Sequence, residues 1–272
     1  MPPVDSAVPA DPDSLIQVHT DGAIATVVLN RPHKLNALSL PMWQRLAEVF
    51  AALSAAAELR CIILRGAGEK AFSPGNDISE FAADRKSRAQ AITYGRIMHA
   101  AASAIDSCPH PIVAQIHGVC VGGGLELATL ADLRICGQTS RFGVPIKSLG
   151  LVMSYPELAP LVRLVGEGRA RELLLEGRII DAAEALAMGL VTRVVADAAV
   201  AKEAQAAAQR IAEGAPLCAR WHKKFIRRLR SVAEQPLSEA ESLECFECFD
   251  TEDFRSGYQA FLARQKPHFV GR

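Results

Sequence analysis

The stretch HGVCVGGGLELATLADLRI, His117–Ile135, sets three consecutive glycines in front of an apolar helix and then places one carboxylate, Glu126, among Leu125, Leu127, Ala128, Leu130 and Ala131. Glycine loses backbone entropy on ordering, and a glutamate on an apolar helix loses hydration, so the combination asks for a reason. Glycines at a helix start leave backbone N–H groups bare at its positive end, where a ligand oxygen can reach them. The bland alternative is a tight turn, with Glu126 either favoured by the helix dipole or paired in the core with an arginine.

Working outward, LIQVH (Leu15–His19) and AIATVVLN (Ala23–Asn30) flank Asp21-Gly22, a hairpin signal. In SLPMWQRLAEVFAALSAAAEL, apolar residues recur at Trp43, Leu46, Ala47, Phe50, Leu53 and Ala57. That spacing predicts an amphipathic helix with Ser39 as N-cap and Pro41 in its first turn. CIILRG (Cys61–Gly66) and PIVAQIHG (Pro111–Gly118) read as buried strands, with a helical segment from about Arg85 to Ser107 between them. DLRICG (Asp132–Gly137) and GLVTRVV (Gly189–Val195) complete the strands. Strands alternating with helices predict an α/β core over residues 15–196 with mostly parallel pairing. Beyond Ala196 the pattern turns helical, with breaks at Gly214-Ala215-Pro216 and Gln235-Pro236, so residues 197–272 form a C-terminal helical region. Residues 1–14, rich in proline and acid, read as a disordered tail without the basic start or apolar core of a signal peptide.

The 272 residues are 50% hydrophobic and 22% charged, ordinary for a globular protein. Thirty basic residues balance thirty acidic ones, so no global charge favours nucleic acid or an anionic membrane. No apolar run approaches the roughly 18 residues of a membrane span. Seven scattered cysteines predict buried thiols and a cytoplasmic protein. The close pair Cys245-Phe-Glu-Cys248 reads as two small residues on a helix or, without a second CxxC, as an incomplete metal site. The histidines show no HxxxH or HExxH spacing, so no metal is expected.

Three stretches place a turn or glycine directly after a strand: LNRPHKLNAL (Leu29–Leu38), AFSPGNDISEF (Ala71–Phe81) and HGVCVGGGLELA (His117–Ala128). In α/β folds ligands bind outside the carboxyl ends of strands, so the three loops can line one site. The glycines fit neither GxGxxG nor GxxxxGK[ST], which removes the nucleotide cradles. Gly75 in SPGNDI would let Asn76 turn its N–H into a cleft. Two backbone donors meeting on one oxygen make an oxyanion hole, and one such donor is worth about 10²–10³ in rate.

Together, LNRPHKLNAL, AFSPGNDISEF, HGVCVGGGLELATLADLRI, RFGVPIKSLGL, LLLEGRIIDAAEALAMGLVTRVV and FLARQKPHFVGR resemble the enoyl-CoA hydratase/isomerase (crotonase) superfamily, from about Leu15 to Arg272. The resemblance implies an α/β spiral of ββα turns with a C-terminal helical trimerisation region, assembled as a homotrimer or dimer of trimers. It implies a lyase of fatty-acid metabolism that acts on acyl-CoA thioesters, with coenzyme A as part of the substrate and no separate cofactor. By residue, it implies an oxyanion hole at the N–H groups of Asn76 and Gly123, beside Gly122. Glu126 matches the first of two catalytic glutamates. His33, Lys34, Leu35 and Ala37 match the CoA-contact stretch, and Asp77 and Ile78 continue the binding loop. Phe261 and Lys266 match positions near the adenine and its phosphate, often contributed by a neighbouring subunit.

The pattern breaks at the second glutamate, which falls on Ile146 in Phe142-Gly-Val-Pro-Ile146. The expected activity is therefore hydration of a 2-enoyl-CoA with a single glutamate. The alternatives are a Δ3,Δ2-enoyl-CoA isomerase, which can use one carboxylate, or a non-catalytic acyl-CoA-binding homologue. Glu157 is the candidate auxiliary acid, although Ser154-Tyr-Pro-Glu157 also fits a capping box. Asp77 is expected to cap the turn after it and Glu80 to be solvated. The basic segment RWHKKFIRRLR, Arg220–Arg230, reads as a solvated face or, in one or two residues, as a CoA-phosphate contact.

Overall fold

CIILRG, IVAQI and LRICG become the centre of a sheet because both of their faces are apolar and both are covered. The computed structural model describes residues 12–231 and 235–272. The tail expected over residues 1–14 thus lies largely outside the described residues, and Pro12–Leu15 forms one helical turn, α1. The hairpin follows as expected, with β1 (Ile16–Asp21) antiparallel to β2 (Ile24–Leu29) and Gly22 in the turn at φ 55°. Helix α2 spans Leu40–Ala55. From there the chain runs in repeating turns of two strands and helix. These are β3 (Cys61–Gly66), β4 (Ala71–Ser73), α3 (Phe81–Asp84) and α4 (Arg88–Ser107); then β5 (Ile112–Ile116), β6 (Val119–Val121) and α5 (Gly123–Leu130); then β7 (Leu133–Gly137), β8 (Arg141–Gly143) and α6 (Tyr155–Glu176). Strand β9 (Ile180–Asp181), α7 (Ala182–Ala187), β10 (Arg193–Val195) and α8 (Val200–Ala212) complete the core. Helices α9 (Pro216–Arg228), α10 (Glu239–Leu243) and α11 (Glu252–Ala263) follow.

Each turn contributes one strand to each of two sheets. The larger has the order β1-β2-β3-β5-β7-β10 and is parallel beyond the hairpin. The smaller, β4-β6-β8-β9, pairs its first three strands in parallel and β9 antiparallel. Its strands are two or three residues long. Such lengths are too short for any hydrophobic period, so sequence reading passed over this sheet.

The large sheet sorts its side chains by strand alternation. Ala25, Val27, Leu29, Ile62, Leu64, Ala114 and Ile116 join the main core with Trp43, Leu46 and Phe50 of α2. Ile24, Cys61, Ile63, Val113 and Ile135 face the other way onto Ala204, Ala207, Ala208 and Ala212 of α8. That alanine stripe lets the helix lie close on the sheet, and burial pushes the Cys61 thiol up to about 12. The described cysteines are free, and those at 61, 108, 120 and 136 are buried; the Cys245 side chain lies outside the described residues. Among the described residues, no helix is long and apolar enough to cross a membrane.

The basic segment Arg220–Arg230 is not a freely solvated face, because four of its side chains tie α9 and the turn after it to the core. Arg220 donates to the Ala57 and Leu59 carbonyls, and Lys223 to the His110 carbonyl and Asp132. Arg227 donates to the Asp106 carbonyl, and Arg230 binds the Asp106 carboxylate through two 2.8 Å contacts.

Replacing Ala208, fully buried against the sheet, with leucine forces the helix off its seat. We expect a loss of about 1–3 kcal/mol, read as a lower urea midpoint at unchanged slope.

Candidate active site

Two of the three loops singled out in the sequence leave β4 and β6, which with β8 are parallel neighbours whose carboxyl ends open on one side, and the third, Leu29–Leu38, leaves β2 and joins them through the Leu38–Asn76 bridge. Pro74–Asp77 leaves β4, Gly122-Gly123 leaves β6, and Val144–Ile146 leaves β8. Between them lies a cleft of about 160 Å³ lined by Asn76, Ile78, Arg85, Met98, Gly122, Gly123, Glu126, Ile146 and Glu157, with Leu149, Leu151, Val152 and Met153 on its far wall.

The triple glycine divides its work by position. Gly122 stands at φ 54° as the N-cap of α5, in the left-handed region that favours glycine. Gly124 lies under β4, where a Cβ would stand 2.2 Å from the Ser73 carbonyl oxygen. Gly123, the first helical residue, turns its N–H toward the β4 loop: a Cβ built on Gly75 would stand only 2.8 Å from that nitrogen. The Asn76 N–H lies alongside, 3.6 Å from the Cβ position of Gly123.

Asn76 is aimed by its neighbours. Leu38 N donates to Gly75 O at 2.8 Å and Asp77 N to Leu38 O at 2.9 Å, which makes a parallel bridge between the two loops. In such a bridge the N–H of the residue between, Asn76, points away from the partner strand and into the cleft. The Asn76 side chain is held by Trp43, whose Nε1 donates to its Oδ1 at 2.7 Å. Arg31 clamps the same loops from outside, donating to Asp77 Oδ2 at 2.7 Å and to the Ala37 carbonyl at 3.2 Å. Burial alone would raise the Asp77 carboxyl, but hydrogen bonds from Ser79 and Arg31 outweigh it and hold it at about 2. Asp77 also accepts from Ser79 N, the turn cap expected of it.

Glu126 sits in the first turn of α5, 6% exposed, with Oε1 lacking a hydrogen-bond partner. Burial pushes its carboxyl well above the usual range, the Glu157 charge pushes the same way, and Arg85 opposes them more weakly. The charge of Arg85 does not offset that burial. Ile146, the position that the resemblance matches to a second acid, lines the cleft.

Glu157 combines both readings made of it. It closes the capping box of α6, with Oε2 accepting from Ser154 N at 2.8 Å, and it lines the cleft. Glu80, expected in solvent, is half-buried instead: its Oε2 accepts from Leu40 N at 3.0 Å and from Tyr94 Oη at 3.3 Å. It caps α2 from another loop, and Ser39, the expected cap, makes no side-chain capping bond. Burial raises the Glu80 carboxyl against those two hydrogen bonds.

His33 and Lys34 are exposed on a 3₁₀ turn, Pro32–Lys34, ahead of Leu35 at φ 53° and buried Ala37. Phe261, 82% exposed, and Lys266, 3.1 Å from Glu213, lie in the C-terminal region and do not line the cleft. Sequence reading missed Arg31, Trp43, Met98 and His99. Each acts across a separation that no local motif marks. Among the described residues no group of three or more His, Cys, Asp or Glu could hold a metal ion.

The family model described as enoyl-CoA hydratase/isomerase matches residues 19–272. The short-chain-enoyl-CoA hydratase of Clostridium acetobutylicum is 32% identical over 246 residues, 90% of this chain and 94% of that protein. A probable enoyl-CoA hydratase of Rhizobium meliloti is 36% identical over 259 residues, 94% and 97% of the two chains. The crystal structure of an enoyl-CoA hydratase/carnithine racemase from Magnetospirillum magneticum superposes with a TM-score of 0.93 at 51% identity, covering 95% of this chain and 96% of that one. The chain belongs to the enoyl-CoA hydratase/isomerase family.

A raised Glu126 carboxyl has a consequence for stability. The native state holds this proton more tightly than the unfolded chain does. Its contribution is complete below the ordinary value of 4.5 and is lost as pH rises through the folded value. Glu126→Gln carries no such loss. In thermal unfolding from pH 4.5 upward, the variant's melting temperature should gain on wild type as pH rises and then level off; a gap independent of pH would mean that Glu126 titrates normally.

Proposed function

We propose that this member of the enoyl-CoA hydratase/isomerase family adds water across the double bond of an aliphatic 2-enoyl-CoA, using Glu126 to move the proton at Cα. The observation that carries this reading is Glu126 itself, a buried carboxyl with an unpartnered oxygen in the cleft that Asn76 and Gly123 also line. Hydration loads negative charge onto the thioester oxygen as the acyl group takes on enolate character. The N–H groups of Asn76 and Gly123 meet that charge, and their preorganisation by Leu38, Trp43 and the α5 terminus removes the need to reorient at the moment of reaction. A carboxyl kept neutral by burial can deliver a proton to Cα and take it back in the reverse direction. Apolar walls at Met98, Ile146, Leu149, Leu151 and Met153 suit an aliphatic acyl chain. A passive acyl-CoA binder has no use for a desolvated acid aimed at the thioester, and relatives named as hydratases support the catalytic reading.

Ile78 lines the cleft, and His33, Lys34, Leu35 and Ala37, on the loop that Leu38 bridges to Asn76, are read together with Asp77 and Ile78 as the CoA-contact stretch. Phe261 and Lys266 would reach the CoA of a neighbouring subunit. A homotrimer, or a dimer of trimers, is supported by the exposed Phe246, Phe249, Tyr258, Phe261 and Leu262 of the C-terminal region. Buried free thiols fit a cytoplasmic setting.

Ile146 supports a second reading, the 1,3-proton shift of a 3-enoyl-CoA by Glu126 alone. Purified protein offered crotonyl-CoA and a 3-enoyl-CoA separately distinguishes the two by product.

Two variants test the site. Glu126→Gln should abolish turnover while calorimetric affinity for a saturated acyl-CoA is retained. Gly123→Pro fits the first helical position but removes the N–H, so kcat should fall by about 10²–10³ with the fold kept; a wild-type rate would remove Gly123 from the oxyanion hole.

A further inference from the structure

Ile146 leaves Glu126 without an acid opposite it, yet the cleft holds a second carboxylate on another element. Glu157, at the start of α6, lines the same cleft and is 15% exposed. Its two oxygens are held separately. Oε2 accepts from Ser154 N at 2.8 Å, and Oε1 lies 3.2 Å from His99 Nε2, which is also 2.8 Å from Ser154 Oγ. Capping α6 requires only the first of these bonds. The imidazole is brought in from α4, and its side chain is 33% exposed. Glu157 thus faces the cleft on one side and, through His99, solvent on the other. The remaining charged groups lining the cleft are Glu126 on α5 and Arg85 ahead of α4.

We propose that Glu157 is the second proton-transferring carboxylate of this site, taking the place left by Ile146, and that His99 is its positioning residue. The inference rests on the hydratase reading above. In the forward reaction the Cα–Cβ π bond breaks. The water oxygen bonds to Cβ and gives one proton to the Glu157 carboxylate, while Glu126 gives its proton to Cα. Glu157 then gives its proton up to solvent through the open cleft, and Glu126 takes one up the same way. The net change is addition of one water. The environments divide the labour physically: Glu126 is desolvated with Oε1 unpartnered, whereas Glu157 is held by Ser154 N on one oxygen and set against His99 Nε2 on the other.

The test uses the full-length protein and two readouts: hydration of crotonyl-CoA, and exchange of the Cα hydrogens of butyryl-CoA with D₂O. Exchange needs only the group that moves the Cα proton. Glu157→Gln keeps an oxygen for Ser154 N and so keeps the cap. It should lose hydration by about 10²–10³ while exchange continues, which also shows that the variant is folded. His99→Ala should lower kcat for hydration at unchanged KM, and His99→Gln, which can still donate to Glu157, should restore most of it. Glu126→Gln should lose both readouts. Wild-type hydration by Glu157→Gln would overturn the inference and leave the Glu126 reading intact, with Glu157 reduced to a cap. Equal kcat in all three His99 forms would remove the positioning role. A wild-type protein that leaves crotonyl-CoA unchanged, or a Glu126→Gln variant that keeps both activities, would overturn the hydratase reading and this inference with it.

Discussion

The close approach of α5 to β4, with Gly124 under the Ser73 carbonyl, is the constraint on which the site depends. It brings the first turn of a helix against the end of a parallel strand with no side chain between them. Because the helix starts there, its leading N–H has no partner within the helix. Because the strand ends there, the loop leaving it can place a second N–H beside the first. The two backbone segments are held side by side by sheet register, and the Trp43 indole fixes the Asn76 side chain between them.

The electrostatics of the cleft follow from the same placement. Glu126 rides on that helix turn and points into a wall built from Met98, Ile146 and Met153. With water excluded and no donor on Oε1, its charged form is disfavoured. The helix dipole acts the other way, favouring an anion near the N-terminus, and desolvation wins. Asp77 shows the opposite balance a few residues from the cleft. It too is buried, yet Ser79 and Arg31 keep it ionised, and it serves as a clamp.

The long, strongly patterned elements were legible in the sequence. CIILRG coincides with β3, the Asp21-Gly22 turn with the hairpin, and the Trp43–Leu46–Phe50 spacing with α2. The candidate site was legible where chemistry is carried by glycine or by a charge out of place, as in SPGN and GGGLE. It was not legible where a residue works through a distant partner. Glu80 reads as a solvated acid until Leu40 and Tyr94 surround it, and the basic run Arg220–Arg230 reads as a surface until the carbonyls and acids it meets are known.

Sequence by itself determined the alternation of strand and helix, the glycines that open the helix start, the presence of Glu126 and the loss of an acid at Ile146. These are properties of single positions and short periods. Tertiary structure alone decided the second sheet, whose strands are too short to carry a period, and with it the convergence of three loops at the ends of β4, β6 and β8. It also decided that Glu157 shares the cleft with Glu126 and meets His99. The physical reason is that pairing, burial and the titration of a buried acid are set by which chain segments meet in space, and segments dozens of residues apart leave no local mark of that meeting.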